Sequence, residues 1–314
     1  MPVDFGILLT PGPAKGATRR WLDDLDACLP QFTDHVKSLW ASDHFFWEDA
    51  PTYEAWTTMA YLAAHYPQFD IGSSVLGQSY RNPAMLAKSV ATLQDLSNGR
   101  CILGIGAGWK EDEHDAYGYP FRSPKVRLEQ LEDTLEIVKR LWQEPGKVTY
   151  HGKHYHVKDA YCEPKPSPVP PILVGGAGNK TIQLAARYAD MWNLSDADIA
   201  RYTERLTIVK KACAAINRDP ASLRLTWLGR LSPGKTDTEA RERAEHQGRN
   251  HYKGWKLDQA FVGTPERIVE EVKAFIDVGV NYFIFEIVGL PDPEVVQLVV
   301  DDVLPGIRNS GGRN

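Results

Sequence analysis

CILGIGAGWKEDEHDAYGYPF, residues 101–121, is the stretch that decides how the whole chain is read. An apolar run, Cys101 to Ile105, is interrupted by Gly104, Gly106 and Gly108. An acidic segment follows at Glu111–Asp115, then an aromatic and glycine knot at Tyr117–Phe121. A short apolar run ending in turn-prone residues reads as a buried parallel strand. Glycine at its end lets a backbone or a ligand come close, because no Cβ intervenes. Two readings stand side by side: one wall of a flat-cofactor pocket, or a tight strand-to-helix turn that binds nothing.

Outward from this stretch, apolar runs alternate with longer amphipathic segments. Strands are expected at Val3–Leu9, Ser38–Ser42, Asp70–Leu76, Cys101–Gly106, Pro171–Val174, Met191–Leu194, Leu223–Leu228 and Tyr282–Val288. Helical periodicity follows each, at 19–36, 53–65, 83–96, 124–142, 179–188, 199–216, 236–250, 264–278 and 293–307. Pro30 and Pro305 are expected to break the first and last of these. Residues 10–18 read as a loop. An insertion at Glu144–Pro170 contains an alternating run, Val148–Val157, that resembles a hairpin.

Strands separated by helices imply a parallel sheet. Eight such units in 314 residues fit an α/β fold of the closed (β/α)8 TIM-barrel kind, with a hairpin inserted between strands four and five. One domain, 1–314, is expected. An open sheet using GIGAG as a dinucleotide turn fails on position, because such a turn opens the first unit and here it ends the fourth strand.

The net charge is −5 and no polybasic run is present, so neither nucleic acid nor an anionic membrane is an expected partner. Cys28, Cys101, Cys162 and Cys213 are scattered and read as reduced core thiols. No secretory signal or membrane-length apolar run is visible, so a cytoplasmic protein is expected. His151, His154 and His156 sit on the hairpin without a nearby Cys, so no metal site is expected there.

In a barrel of this kind, active groups gather at the C-terminal ends of the strands. Those ends carry Ser42-Asp43-His44-Phe45, Ser73 to Gly77, Gly106-Ala107-Gly108-Trp109, Gly175-Gly176-Ala177-Gly178, Asn193-Leu194-Ser195, and Glu286. Asp43 and His44 are the candidate catalytic pair, since an imidazole exchanges protons near neutral pH. Their bland reading is a loop cap and a packed ring. Gly175–Gly178 precedes a helix, where free N–H groups favour an anion, and Lys180 would add charge. A plain glycine turn is the alternative. Glu111, Asp112, Glu113 and Asp115 read mostly as a solvated helix start.

Six fragments in order carry a wider resemblance: SLWASDHF (38–45), GSSVLGQSYRNPAMLAKSVATLQDLSNGR (72–100), LGIGAGWKEDEHDAYGYPF (103–121), RLEQLEDTLEIVKRLW (127–142), PPILVGGAGNKTIQLAARYADMWN (170–193) and VGTPERIVEEVKAFIDVGVNYFIF (262–285). Across nearly its whole length the chain resembles the luciferase-like monooxygenase superfamily, in particular its branch of oxidoreductases dependent on the deazaflavin coenzyme F420. The resemblance implies a homodimeric barrel binding F420 or, in the alternative, FMN at the strand C-termini. An FMN enzyme would be a two-component monooxygenase using O₂ and a separate reductase. The implied substrate is a small organic molecule.

It also implies residue roles. Asp43 and His44 would lie beside the reactive ring. Ser74-Val75 would carry a non-proline cis peptide behind it, with Gly77 closing that bulge. Gly106, Ala107, Gly108 and Trp109 would line the ring and its chain. Gly175, Gly176, Ala177 and Gly178 would hold the phosphate. One departure stands out. The sugar-phosphate dehydrogenases of this branch carry a Glu directly after the strand-four G-x-G, used as a proton donor. Here that position is Trp109, which leaves Glu111, Asp112, Glu113 or Glu286 as stand-ins and speaks against the sugar-phosphate reaction.

Overall fold

Strands that are apolar on both faces need cover on both faces, and a ring of parallel strands sheathed in helices supplies it. A computed structural model describes residues 2–13, 16–47, 50–251 and 257–311. The ring strands are β1 Asp4–Leu9, β2 Ser38–Ala41, β3 Asp70–Ser73, β4 Cys101–Gly106, β5 Ile172–Gly175, β6 Met191–Ser195, β7 Arg224–Pro233 and β8 Tyr282–Ile287. Each pairs in parallel with the next, from Ile7 beside Leu39 round to Thr226 beside Tyr282. The ring closes where Asp4 of β1 meets Tyr282 of β8. This is the expected (β/α)8 barrel.

Helices α1 Trp21–Cys28, α2 Ala55–His65, α3 Pro83–Leu96, α4 Glu111–Tyr117, α5 Pro124–Gln143, α6 Asn179–Tyr188, α7 Ile199–Ala214, α8 Asp237–His251 and α9 Pro265–Asp277 run outside the ring. The main core lies between strands and helices. A smaller cluster, including Trp40, Leu173, Tyr282 and Ile284, fills the barrel itself. All four cysteines are buried and free, as expected. Burial pushes the thiols of Cys28 and Cys101 up to about 12, so both stay protonated.

Several boundaries differ from expectation, each for a local reason. The first helix stops at Cys28 and tightens into a 3₁₀ turn at Leu29–Phe32, where Pro30 sits. The last helical segment is interrupted near Pro305, by a π turn at Leu298–Val303 that runs directly into the helix Leu304–Gly311, where Pro305 has no N–H to continue the ladder. The hairpin is wider than its alternating run, with strands Lys147–His151 and His156–Tyr161. It is pinned to α5 by Asp133, whose carboxylate accepts from Tyr150 Oη and from the N–H groups of Lys153, His154 and Tyr155. β7 runs on to Pro233 and gains an outer neighbour, Phe261–Gly263, that periodicity did not reveal. The expected loop at 10–18 is described except for residues 14 and 15, which lie outside the described residues.

The expected third strand ends early. It stops at Ser73, the Ser74–Val75 peptide is cis, and Leu76–Gly77 then pairs separately with β4. Gly104 makes room for this bulge. A Cβ on Gly104 would lie 1.8 Å from the Ser73 carbonyl oxygen. The Ser73 hydroxyl donates to the Gly104 carbonyl at 2.8 Å and accepts from its N–H at 3.0 Å. Gly104→Ala is therefore expected to cost about 3 kcal/mol, read as a lower urea midpoint. An unchanged midpoint would contradict this account of the bulge.

Candidate functional site

The barrel opens at the C-terminal ends of its strands into a cavity of about 650 Å³. Asp43, His44, Ser74, Val75, Gly77, Gly106, Ala107, Gly108, Trp109, Gly175 and Gly176 all line it. Ala177 and Gly178, grouped with them in the sequence, do not line it. Gly178 is instead the N-cap of α6.

His44 and Asp43, adjacent in the chain, are separated in role. His44 Nδ1 lies 3.2 Å from both carboxylate oxygens of Glu113. That carboxylate also accepts from the Phe45 N–H at 2.8 Å and the Tyr80 hydroxyl at 3.0 Å. The Glu113 side chain is wholly buried. Burial alone would push its carboxyl up, but the hydrogen bond and charge of His44 and the backbone donors outweigh it and hold Glu113 below the usual glutamate range. An ionised carboxylate only accepts, so Nδ1 carries the proton that points at it. The ring lines the cavity, and Nε2 has no hydrogen-bond partner among the described residues.

Asp43 does not contact His44. Its carboxylate takes a bidentate pair from Arg81, Nη1 to Oδ2 at 2.6 Å and Nη2 to Oδ1 at 2.9 Å, plus the Gly77 N–H at 2.8 Å. Arg81 also donates to Glu54, which caps α2. Both Asp43 oxygens are thus engaged with the bulge and with Arg81, so the two neighbours line the same cavity but turn their side chains to different partners.

Gly175 and Gly176 face the cavity, and α6 begins behind them with no side-chain cap, leaving its first N–H groups available. Lys180 turns away and lies 3.8 Å from Glu132, so it adds nothing there. The geometry suits a flat ring over Val75, Gly106 and Gly108 with an anionic chain running to α6. Among the described residues, no group of three or more His, Cys, Asp or Glu side chains is placed to hold a metal ion.

An aromatic rim completes one side. The His44 ring lies 4.6 Å from Trp47 and 5.7 Å from Trp109, centroid to centroid. Trp109 is 64 % exposed at the mouth. The opposite side, at the ends of β6 to β8, is polar. Asp196 sits there just past β6 with φ 50°, beside Arg230 and Glu286. Burial pushes the Asp196 carboxyl up to about 6, with Arg230 restraining the rise and Glu286 adding to it.

Of the four acids expected to stand in for the missing Glu, Glu113 is the one that contacts His44. Glu111 and Asp112 are exposed on α4, and Glu286 pairs with Arg230 at 3.1 Å. Sequence reasoning does not single out Glu113, because its neighbours in the acidic run look alike, while its partner lies 69 residues away. Arg81, Tyr80 and Asp196 escape it for the same reason: each is defined by a distant partner.

Glu113→Gln is expected to cost on the order of 3 kcal/mol and to free the His44 ring, read as a lower urea midpoint together with changed His44 ring resonances by NMR. Asp196 behaves oppositely. Its raised folded pKa means the native state holds a proton that the unfolded chain has lost, so stability falls as pH rises from about 4 to about 6. Asp196→Asn should therefore raise Tm at pH 7.5 by roughly 2–4 °C, and the gain should vanish near pH 4. A Tm gain equal at both pH values would contradict the assigned ionisation.

The family model described as luciferase-like monooxygenase matches residues 36–282. An F420-dependent glucose-6-phosphate dehydrogenase of Amycolatopsis mediterranei is 26% identical over 305 residues, covering 88% of this chain and 91% of that protein. Two solved structures share the barrel. An F420-dependent secondary alcohol dehydrogenase in complex with an F420-acetone adduct superposes with TM-score 0.81 at 20% identity, covering 98% and 99% of the two chains. A monooxygenase from Streptomyces bottropensis does so with TM-score 0.79 at 21% identity, covering 96% and 99%. With a family match running from β2 into β8, the chain belongs to the luciferase-like monooxygenase family.

Proposed function

We propose that this chain is an F420-dependent oxidoreductase that moves a hydride between its cofactor and a small organic substrate. The observation that carries the reading is the His44–Glu113 pair facing a glycine-floored cavity with an uncapped helix N-terminus at one end. The named activities of the F420-dependent relatives support the choice of cofactor.

Bound F420 would accept or give a hydride at its ring carbon. The protein's part is position and proton handling. Val75, Gly106 and Gly108 leave space for the ring, and the α6 N-terminus favours its phosphate. Glu113 fixes the tautomer of His44, so a neutral ring presents a lone pair at Nε2 to the cavity. For an alcohol substrate, Nε2 takes the hydroxyl proton as the C–H hydride departs and the carbonyl forms. In the reverse direction, His44 protonated at Nε2 returns that proton to the carbonyl oxygen. Trp47 and Trp109 shield this exchange on one side.

The monooxygenase neighbour favours a second reading, in which the same cavity holds FMN and a separate reductase supplies electrons. We also propose a single cytoplasmic domain, 1–314, that pairs as a homodimer. No helix among the described residues is long and apolar enough to cross a membrane. Met85 and Leu96, 65% and 79% exposed on α3, leave apolar surface for a second copy.

His44→Ala should lower turnover by ~10²–10⁴ while cofactor affinity, measured by equilibrium titration, stays near wild type. Unchanged turnover would remove His44 from the chemistry.

A further inference from the structure

Among the described residues, the cations lining the cavity are matched by carboxylates. Lys110 Nζ lies 2.7 Å from Asp112 Oδ2 and 3.9 Å from Glu113 Oε1. Arg230 Nε lies 3.1 Å from Glu286 Oε2. Arg81, behind the wall, is taken by Asp43 and Glu54. Asp196 then adds a further carboxylate beside the Arg230–Glu286 pair, and no hydrogen bond to that carboxylate is found among the described residues.

These groups are unevenly placed. The anion-ready feature of the cavity, the α6 N-terminus, lies next to Gly175 and Gly176 and serves the cofactor phosphate in the reading above. The side formed by the ends of β6, β7 and β8 carries Asp196 and Glu286 with Arg230 between two negative groups. A second phosphate there would face like charge in a half-desolvated site, with no surplus cation among the described residues to meet it. A hydroxyl or an ammonium would instead donate to the open carboxylate, and a hydrogen bond to a charged acceptor is among the stronger kinds.

Resting on the proposed function, we infer that the substrate of this chain carries no phosphate or carboxylate and presents an O–H or N–H donor to Asp196, with Asp196 and Glu286 setting the specificity. The charge of this wall therefore separates the chain from sugar-phosphate enzymes such as its relative in Amycolatopsis mediterranei, independently of Trp109. The two features lie on different strand ends and act differently. Trp109 sets an indole beside His44 at the mouth, while Asp196 and Glu286 place negative charge where the far end of a substrate reaches.

The test uses the F420-loaded protein, titrated with glucose and with glucose 6-phosphate and followed by the absorbance of the bound cofactor. Wild type should bind glucose about tenfold or more tightly than glucose 6-phosphate. Asp196→Asn should weaken glucose about fivefold and narrow the preference. Asp196→Lys should strengthen glucose 6-phosphate about tenfold or more, with F420 affinity unchanged in both variants. A carboxylate that only braced Arg230 would shift both sugars together and leave their ratio alone. Glucose 6-phosphate binding wild type as tightly as glucose overturns the inference. So does an unchanged ratio in Asp196→Lys and Asp196→Asn. Where neither sugar perturbs wild type, Asp196→Lys must acquire glucose 6-phosphate binding, and failure to do so also overturns it. Failure of wild type to bind F420 at all would instead contradict the proposed function.

Discussion

A carboxylate removed from water must be surrounded by donors, and the site is arranged around one that is. Glu113 has no exposed side-chain surface, and its oxygens draw in the His44 ring, the Phe45 N–H and the Tyr80 hydroxyl. Those donors come from the end of β2 and from the turn after Gly77, so one acid on α4 ties together two other segments of the barrel mouth. The same contact decides which nitrogen of His44 carries a proton. Asp43 shows the complementary solution. It is matched by a cation, Arg81, and by the Gly77 N–H, which holds the bulge of β3 against β4. Neighbours in sequence thus serve separate ends: one side chain turns a nitrogen to the cavity with no partner among the described residues, and the other is locked into the scaffold.

The floor of the cavity has its own constraint. Val75 reaches under the strand ends, and a Cβ on Gly106 would lie 2.9 Å from its Cγ2. Glycine is needed at Gly104 and Gly106 because another part of the protein already occupies the space, and the cavity lies above that packing. The walls then give the cavity a polarity. Uncapped N–H groups stand at one end, an aromatic rim and His44 at one side, and the acidic pair Asp196 and Glu286 at the other. A ligand with an anionic tail has one favourable orientation in such a field, with its tail at the uncapped N–H groups.

Much of this is legible in the residues. Eight apolar runs with helical spacers lead to the barrel, because strands buried on both faces have few other arrangements. Position at strand ends leads to His44, Gly106 and Gly175, since the fold places those ends together. What is not legible is pairing across the chain. Asp43-His44 looks like a couple because the residues are adjacent, yet their carboxylate and imidazole turn to partners 38 and 69 residues away. The acidic run 111–115 looks like a solvated helix start, and for Glu111 and Asp112 it is. Glu113 differs only because α4 turns that one position toward the barrel. The π turn at Leu298–Val303 and the outer strand at Phe261–Gly263 likewise follow from packing, which local periodicity does not encode.

The central claim is that this cavity is built for the deazaflavin. Parallel equilibrium titrations of the cofactor-free protein with F420 and with FMN, followed by fluorescence, test it most directly. The account predicts micromolar or tighter binding of F420 and much weaker binding of FMN. Tight FMN binding, with O₂ consumed on reduction and no measurable affinity for F420, would contradict it.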